Sequence, residues 1–186
     1  MNRIANIILA VFLLTLLVFP ILIISSLVYI SSGRPVFYWS DRIGKESLTF
    51  SMPKFRTMLT NAPEVATHML DNPDIFLTTI GRFLRKTSLD ELPQIWSVVT
   101  GDMNFVGPRP ALFNQDDLIA LRTKKGVDKL LPGITGWAQV NGRDQLSIPD
   151  KVTLDVEYLN RQSFWFDMKI LWMTFLKVMK RDGVSH

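Results

Sequence analysis

Residues 4–30 read IANIILAVFLLTLLVFPILIISSLVYI and contain no charged side chain. Polar or helix-breaking residues interrupt this run only at Asn6, Thr15, Pro20, Ser25 and Ser26. Its length exceeds the roughly 20 apolar residues that a helix needs to cross a bilayer. It also exceeds the apolar part of a secretory signal peptide, and no small-residue cleavage site follows it, so we expect the segment to be retained. The run therefore predicts a membrane helix.

Two topologies are open for this segment. Hydropathy alone favours a single straight span. Pro20 removes a main-chain hydrogen bond and kinks a helix, and basic residues flank the run on both sides, at Arg3 before it and at Arg34 and Arg42 after it. Because the positive-inside rule then places both ends in the cytoplasm, the flanks favour a re-entrant hairpin over residues 1–32 that breaks at Pro20.

The composition narrows the possible functions. The chain has 186 residues and a formal net charge of +4, and this basic balance suits a partner that carries phosphates, whether nucleotide, anionic lipid or nucleic acid. Cysteine is absent, which excludes disulfides, thiolate metal sites and a cysteine nucleophile. The two histidines, His68 and His186, argue against a histidine-rich metal site and against a Ser-His-Asp triad.

Residues 33–186 predict one α+β, mainly helical domain. Short extended runs at 35–39 and 48–52 predict strands, and helices are expected at 61–70, 77–85 and 114–125. The C-terminal helix has an apolar stripe of Met168, Leu171, Trp172, Phe175, Leu176 and Met179. With its aromatic and lysine residues, this helix fits either a membrane interface or an ordinary core position.

Two adjacent carboxylates, Asp90 and Glu91, are the first candidates for chemistry. Ser88 and Glu91 have the spacing of a capping box, which predicts that a helix begins at Ser88. Acidic residues in a first turn interact favourably with the helix dipole, and that explanation alone is sufficient. A carboxylate can also be the covalent nucleophile of phosphoryl transfer or a ligand of Mg²⁺. Both interpretations stay open at this point.

Several cations accompany the acidic pair. Arg109 and Arg143 each lie in a loop rich in proline and glycine, where a rigid main chain can direct a guanidinium at phosphate oxygens. Lys54, Arg56 and Arg85 add further positive charge. Each cation alone is typical of a solvated surface, so the phosphate-binding interpretation depends on their occurrence together with the acidic pair.

Four motifs make the chain resemble the bacterial sugar transferase family, the monotopic phosphoglycosyl transferases. They are KFRTM at 54–58, SLDELPQ at 88–94, GDMNFVGPRP at 101–110 and PGITGWAQVNGR at 132–143. The resemblance covers nearly the whole chain. It implies a re-entrant membrane helix with interfacial amphipathic helices, and a catalytic domain on the cytoplasmic face of the bacterial inner membrane.

The resemblance also implies a reaction and its residues. Asp90 would attack a UDP-sugar, release UMP and form a phosphosugar-aspartate intermediate, which undecaprenyl phosphate then resolves. Asp90 would also bind Mg²⁺, and Glu91 would assist as a base. The expected substrate-binding residues are Lys54, Arg56, Arg85, Arg109 and Arg143. An N-acetylated hexosamine is the expected sugar, in O-antigen, capsule, exopolysaccharide or glycoprotein assembly; a homo-oligomer is possible and no nucleic-acid partner is expected.

One departure from the family pattern concerns the helix break, where Phe19 stands in the position before proline that is often serine. A hydroxyl that satisfies the freed carbonyl would then come from Thr15 or Ser25. Three competing functions stay open: a membrane-tethered module that binds anionic lipid or nucleic acid, a scaffold of a glycan-assembly complex, and a glycosyltransferase that releases UDP.

Overall fold

The structure is a computed structural model that describes residues 2–62, 73–142 and 145–180. The helices are α1 (Arg3–Ser32), α2 (Thr79–Thr87), α3 (Ile95–Thr100), α4 (Asp116–Lys124), α5 (Trp137–Val140), α6 (Ile148–Arg161) and α7 (Phe164–Lys180). The strands are β1 (Phe37–Ile43), β2 (Thr49–Phe55), β3 (Asn104–Val106), β4 (Ala111–Leu112) and β5 (Gly133–Thr135). This content confirms the mainly helical α+β class. Most of the helix predicted at 61–70 lies outside the described residues, as does Arg143.

The strands form two small sheets. β1 and β2 make an antiparallel hairpin in which Phe37 is opposite Phe55 and Ile43 is opposite Thr49, and β4 pairs with the far end of β1. β3 and β5 are parallel and connect the two loops rich in proline and glycine. The two predicted extended runs are thus the two strands of one hairpin, each longer than its sequence pattern indicated.

The apolar run forms α1, a continuous helix that begins after the N-cap Asn2 and contains Pro20. Among the described residues it is the one helix that is long and apolar enough to cross a membrane, by length and composition. Its inner face packs on the domain near both ends, because Ala10 and Val28 are both fully buried. Its outer face is exposed, as at Phe12 and Phe19. The residues on both sides of Pro20 belong to one helix. The reversal of the chain predicted at Pro20 stays a prediction.

Both ends of α1 are tied to the domain by arginines. Arg3, at the start of the helix, donates to the carbonyls of Val98 and Val99 at 2.9 and 3.1 Å, at the end of α3. Arg56, just after β2, donates to the carbonyl of Gly33 at 2.9 Å and also to those of Ser32 and Arg34 at the end of α1. Carbonyls at a helix C-terminus lack partners within the helix, so Arg3 stabilises the C-terminal end of α3 and Arg56 that of α1.

The hydroxyls near Pro20 bond locally. Thr15 donates to the carbonyl of Val11 at 2.9 Å, and Ser26 donates to that of Leu22 at 3.0 Å. The carbonyl that the proline frees belongs to Leu16, four residues earlier. Thr15 therefore bonds to a carbonyl other than the one that it was expected to satisfy.

The main core lies between α1, α3, β3, α6 and α7. Helix α7 contributes the buried residues Phe166 and Ile170, whereas Trp172, Phe175 and Met179 are exposed. Much of the apolar stripe predicted for this helix thus faces outward, and a different set of residues contacts the domain.

Candidate functional site

Asp90 and Glu91 lie in a 3-10 helix, Leu89–Gln94, between α2 and α3. A helix begins after Ser88 as predicted, with Asp90 and Glu91 in its first turn, but the side-chain contact predicted for a capping box is not made. Ser88 has left-handed backbone angles and makes no side-chain cap, because its N–H closes the end of α2 on the carbonyls of Leu84 and Arg85. The turn brings the acidic pair back toward β2, and Asp90 is only 8% exposed. A buried carboxylate needs compensating partners, and cations supply them here.

Two of the predicted cations bind Glu91. Lys54 Nζ lies 2.9 Å from Glu91 Oε1, and Arg109 Nη2 lies 3.0 Å from the same oxygen. Lys54 comes from β2, and Arg109 comes from the loop between β3 and β4. One carboxylate oxygen therefore joins the hairpin to this loop.

A third predicted cation, Arg85, reaches the site from α2. Its Nε donates to Thr57 Oγ1 at 2.9 Å. Helix α2 packs closely on this segment, since a Cβ on Gly81 would lie 2.0 Å from the Thr57 carbonyl oxygen. Burial lowers the pKa of Arg85, while Asp90 and Glu91 oppose that shift. Both acidic side chains therefore interact electrostatically with Arg85.

Sequence reasoning missed a fourth cation, Arg42. Its Nε donates to Ser40 Oγ at 3.0 Å, and it lies close enough to Arg109 and Glu91 for their charges to act on it. Burial and then repulsion from Arg109 lower the pKa of Arg42 to about 10. The alternation of side chains along a strand could have indicated it, because residues two apart share a face. Tyr38 is opposite Lys54 in the hairpin, and Arg42 is on the same face as Tyr38.

Burial also acts on Lys54. Desolvation lowers the pKa of its ammonium from the ordinary value of 10.5, and the charge of Glu91 partly opposes this change. Arg109 and Arg42 add repulsion in the same direction as burial. The site therefore holds an excess of positive charge at low solvent exposure, where charge interactions are stronger than in water.

Two predicted residues are not part of this cluster as described. The Arg56 guanidinium binds the carbonyls at the end of α1, so the structure gives it a place in helix attachment. Arg143 lies outside the described residues. Lys54, Arg85 and Arg109 are the predicted substrate-binding residues that the structure brings together around the acidic pair.

Three glycines form the base under Arg109. A Cβ on Gly133 would lie 2.1 Å from the Gly107 nitrogen, and a Cβ on Gly136 would lie 2.1 Å from the Gly107 carbonyl oxygen. Distances this short leave no space for a side chain. The two loop motifs are therefore packed main chain against main chain, which holds Arg109 on a rigid support.

The donor set suits a hard cation that is shared with a substrate. The described residues include no group of three or more His, Cys, Asp or Glu side chains that could hold a metal by themselves. Mg²⁺ is commonly bound by one or two carboxylates together with substrate phosphates. Asp90 is a nearly buried carboxylate among cations and has the ligand chemistry of that pattern. Glu91 Oε1 accepts hydrogen bonds from Lys54 and Arg109.

Comparison with known proteins identifies the family of the chain. A family model described as bacterial sugar transferase matches residues 1–181. The uncharacterized sugar transferase EpsL of Bacillus subtilis is 40% identical over 188 residues, which cover 100% of this chain and 91% of that protein.

Two further relatives have names that state a reaction. The UDP-glucose:undecaprenyl-phosphate glucose-1-phosphate transferase of Escherichia coli is 40% identical, and the match covers 95% of this chain and 40% of that protein. The undecaprenyl-phosphate galactose phosphotransferase of Salmonella typhimurium is 37% identical, and the match covers 81% of this chain and 35% of that protein. The chain thus spans well under half the length of these two relatives. The extent of the family match and the identity to EpsL show that this chain belongs to the bacterial sugar transferase family.

Proposed function

We propose that the protein transfers a sugar 1-phosphate from a UDP-sugar to undecaprenyl phosphate and releases UMP. One observation carries the proposal: Asp90 is almost buried and interacts with Lys54 and Arg85, while its neighbour Glu91 interacts with Lys54, Arg85, Arg109 and Arg42. Cations from four different segments therefore meet around the acidic pair. A carboxylate held among phosphate-binding groups is suited to attack a phosphate. The relatives from Escherichia coli and Salmonella have names that describe this kind of transfer.

The reaction would proceed in two displacements. An Asp90 oxygen attacks the β-phosphorus of the UDP-sugar, the bond from that phosphorus to the bridging oxygen breaks, and UMP leaves with the electron pair. A phosphate oxygen of undecaprenyl phosphate then attacks the same phosphorus and releases the Asp90 carboxylate. The products are UMP and undecaprenyl diphosphate sugar. Arg85 and Arg109 would stabilise the negative charge on the phosphoryl oxygens.

Mg²⁺ would be held by Asp90 and the donor diphosphate. When bound, it would supply charge neutralisation for the leaving phosphate. The protein's own cations would orient the donor, because they are held around the acidic pair by different elements, with Lys54 on β2, Arg85 on α2 and Arg109 on the loop before β4.

The contacts of Glu91 support an organising role. It accepts hydrogen bonds from both Lys54 and Arg109 through one oxygen. An ion-paired carboxylate in this position would fix the two cations in the geometry that the donor phosphates need. Action as a base on the lipid phosphate, which the family resemblance implies, would require Glu91 to exchange one of these partners.

The site would face the membrane from the cytoplasmic side of the bacterial inner membrane. The attachment of both ends of α1 to one domain supports a re-entrant course over residues 1–32, since a straight span would separate the two ends by a bilayer. The exposed apolar residues of α1 and the exposed aromatic residues of α7 support insertion into the lipid. A lipid acceptor and a water-soluble donor could meet only at such an interface.

The sugar of the donor can be identified with a panel of UDP-sugars. The family resemblance predicts an N-acetylated hexosamine, while the two relatives are named for glucose and galactose. The purified protein in nanodiscs, with undecaprenyl phosphate and Mg²⁺, should release UMP from one member of a panel of UDP-sugars. Release of UDP would instead indicate a glycosyltransferase. No nucleotide from any donor would favour a scaffold or lipid-binding module.

A further inference from the structure

The loop Pro108-Arg109-Pro110 is fixed through its carbonyl oxygens. The Pro108 oxygen accepts from the Gly133 N–H at 2.9 Å. The Arg109 oxygen accepts from Arg122 Nη1 at 2.7 Å, and the Pro110 oxygen accepts a longer bond from Arg42 Nη1 at 3.4 Å. Because proline has no N–H, these carbonyls are the main-chain groups through which most of the loop can be held.

Arg122, on α4, links this loop to α6. Its Nε and Nη2 both donate to Asp155 Oδ2, at 3.0 and 2.7 Å, while Nη1 reaches the Arg109 carbonyl. The pair is deeply placed, since the side chains of Arg122 and Asp155 are 11% and 2% exposed. A planar guanidinium held on one edge by a carboxylate has its remaining donors fixed in direction. Asp155 therefore determines where Arg122 donates.

The ion pair contacts the main chain of the loop at the Arg109 carbonyl. Burial raises the pKa of Asp155, and the charge and hydrogen bonds of Arg122 oppose that rise. Arg122 thus stabilises the ionised carboxylate that orients it. The side chain of the same residue, Arg109, donates to Glu91 at 3.0 Å.

We infer that Arg122 and Asp155 are positioning residues, which hold the main chain of Arg109 so that its guanidinium meets Glu91 and the phosphates of the donor. The inference rests on the proposed function of the site. Arg122→Lys keeps the charge but has no fork with which to bridge Asp155 and the Arg109 carbonyl. We expect kcat/KM for UMP release to fall about 10- to 100-fold, the range that follows when a catalytic group moves by about 1 Å.

A simpler reading is that the ion pair only joins α4 to α6. A double-mutant cycle with Arg109→Met separates the two. If Arg122 acts through Arg109, Arg122→Lys lowers kcat/KM in the native background and has no further effect once the Arg109 guanidinium is gone. If the pair only stabilises the fold, its loss has the same effect in both backgrounds.

Val152→Ala is the matched control. Val152 is 2% exposed on α6 and packs in the cluster with Leu118 of α4. Its truncation weakens the contact between the two helices without touching the guanidinium. The control should lower the melting temperature and combine additively with Arg109→Met.

The cycle is run on the full chain in nanodiscs with two readouts, UMP release and calorimetric affinity for UDP. Non-additivity in both supports the inference, and additive losses overturn it. If the native protein binds UDP but releases no UMP, the proposed function fails and the UDP-binding cycle alone decides the inference. If it neither binds UDP nor releases UMP, both fail. Should Arg122→Lys not fold, Asp155→Asn enters the same cycle with the same criteria.

Discussion

Lys54 Nζ lies 2.9 Å from Glu91 Oε1, although 37 positions separate the two residues in the chain. The contact joins the β1–β2 hairpin to the 3-10 helix that carries Asp90. Lys54 is largely buried, so its charge depends on the neighbouring carboxylates. The first prediction follows from this dependence.

Activity should be lost at high pH as Lys54 loses its proton, and this loss should occur at a lower pH than it would for a lysine of ordinary pKa. Burial lowers the pKa of Lys54 below 10.5, so kcat/KM should decrease as the pH rises through that lowered value. Lys54→Arg should move the decrease to higher pH, because arginine stays protonated. The measurement is a pH profile of UMP release for both proteins.

The sign of the stability effect separates this loss from unfolding. The folded state binds the Lys54 proton more weakly than the unfolded chain does, so the protonated form opposes folding. That opposition is full below the lowered pKa and is removed as the pH rises from this value to the ordinary 10.5. Deprotonation of Lys54 should therefore not lower the melting temperature in the pH range where kcat/KM falls. A melting temperature that falls together with kcat/KM would contradict the prediction.

Glu91→Gln should reduce kcat on the order of 100-fold, because Lys54 and Arg109 lose their shared anion and shift. A neutral amide keeps the shape of the side chain but not the charge. Glu157→Gln is the control, since Glu157 lies on α6 and pairs with Arg161 at the surface. Equal kcat for Glu91→Gln and the native protein would show that the charge of Glu91 has no part in the reaction.

Arg56→Lys tests the residue that the structure places apart from the cluster. A lysine cannot donate to three carbonyls in the arrangement that the guanidinium uses, so unfolding free energy should fall by about 1.5–3 kcal/mol. KM for the UDP-sugar should stay unchanged, as measured on the folded protein. A raised KM with an unchanged melting temperature would instead make Arg56 a substrate-binding residue, as the sequence predicted.

The topology of α1 can be read by labelling, because the chain has no cysteine. Asn2→Cys and Ser31→Cys each place one thiol near an end of the helix. A membrane-impermeant maleimide should label neither in intact cells and both after permeabilisation. Labelling of one variant alone in intact cells would show a straight span. Adding Pro20→Leu should expose the residue 2 thiol outside the cell, if the proline causes the reversal.

The predictable parts of this protein were those with local signals. The apolar run, the amphipathic pattern before Arg85 and the C-terminal helical period each identified a helix. The turn at Ser88 could not be read in this way. The capping-box spacing correctly placed a helix start after Ser88, but it did not show that the same residue also ends α2 in a left-handed turn and makes no side-chain cap.

The site was predictable as a set of residue types but not as a contact map. Lys54, Arg85 and Arg109 were correctly associated with the acidic pair. Arg42 was missed because the strand was predicted only at 35–39, so the alternation that puts Arg42 on the same face as Tyr38 and Lys54 lay beyond it. Arg56 was grouped with Lys54 because they are two positions apart, yet its partners are main-chain carbonyls at the end of α1, which no motif in the sequence indicates.

The most direct test of the central claim is a single-turnover reaction of the protein with its UDP-sugar and Mg²⁺ in the absence of undecaprenyl phosphate. Nucleotide release and the intact mass of the protein are measured together, with Asp90→Asn beside the native chain. We predict a stoichiometric burst of UMP and a phosphosugar adduct on the peptide that contains Asp90, and neither from the variant. Release of UDP, or UMP formation by a folded Asp90→Asn protein, would contradict the account.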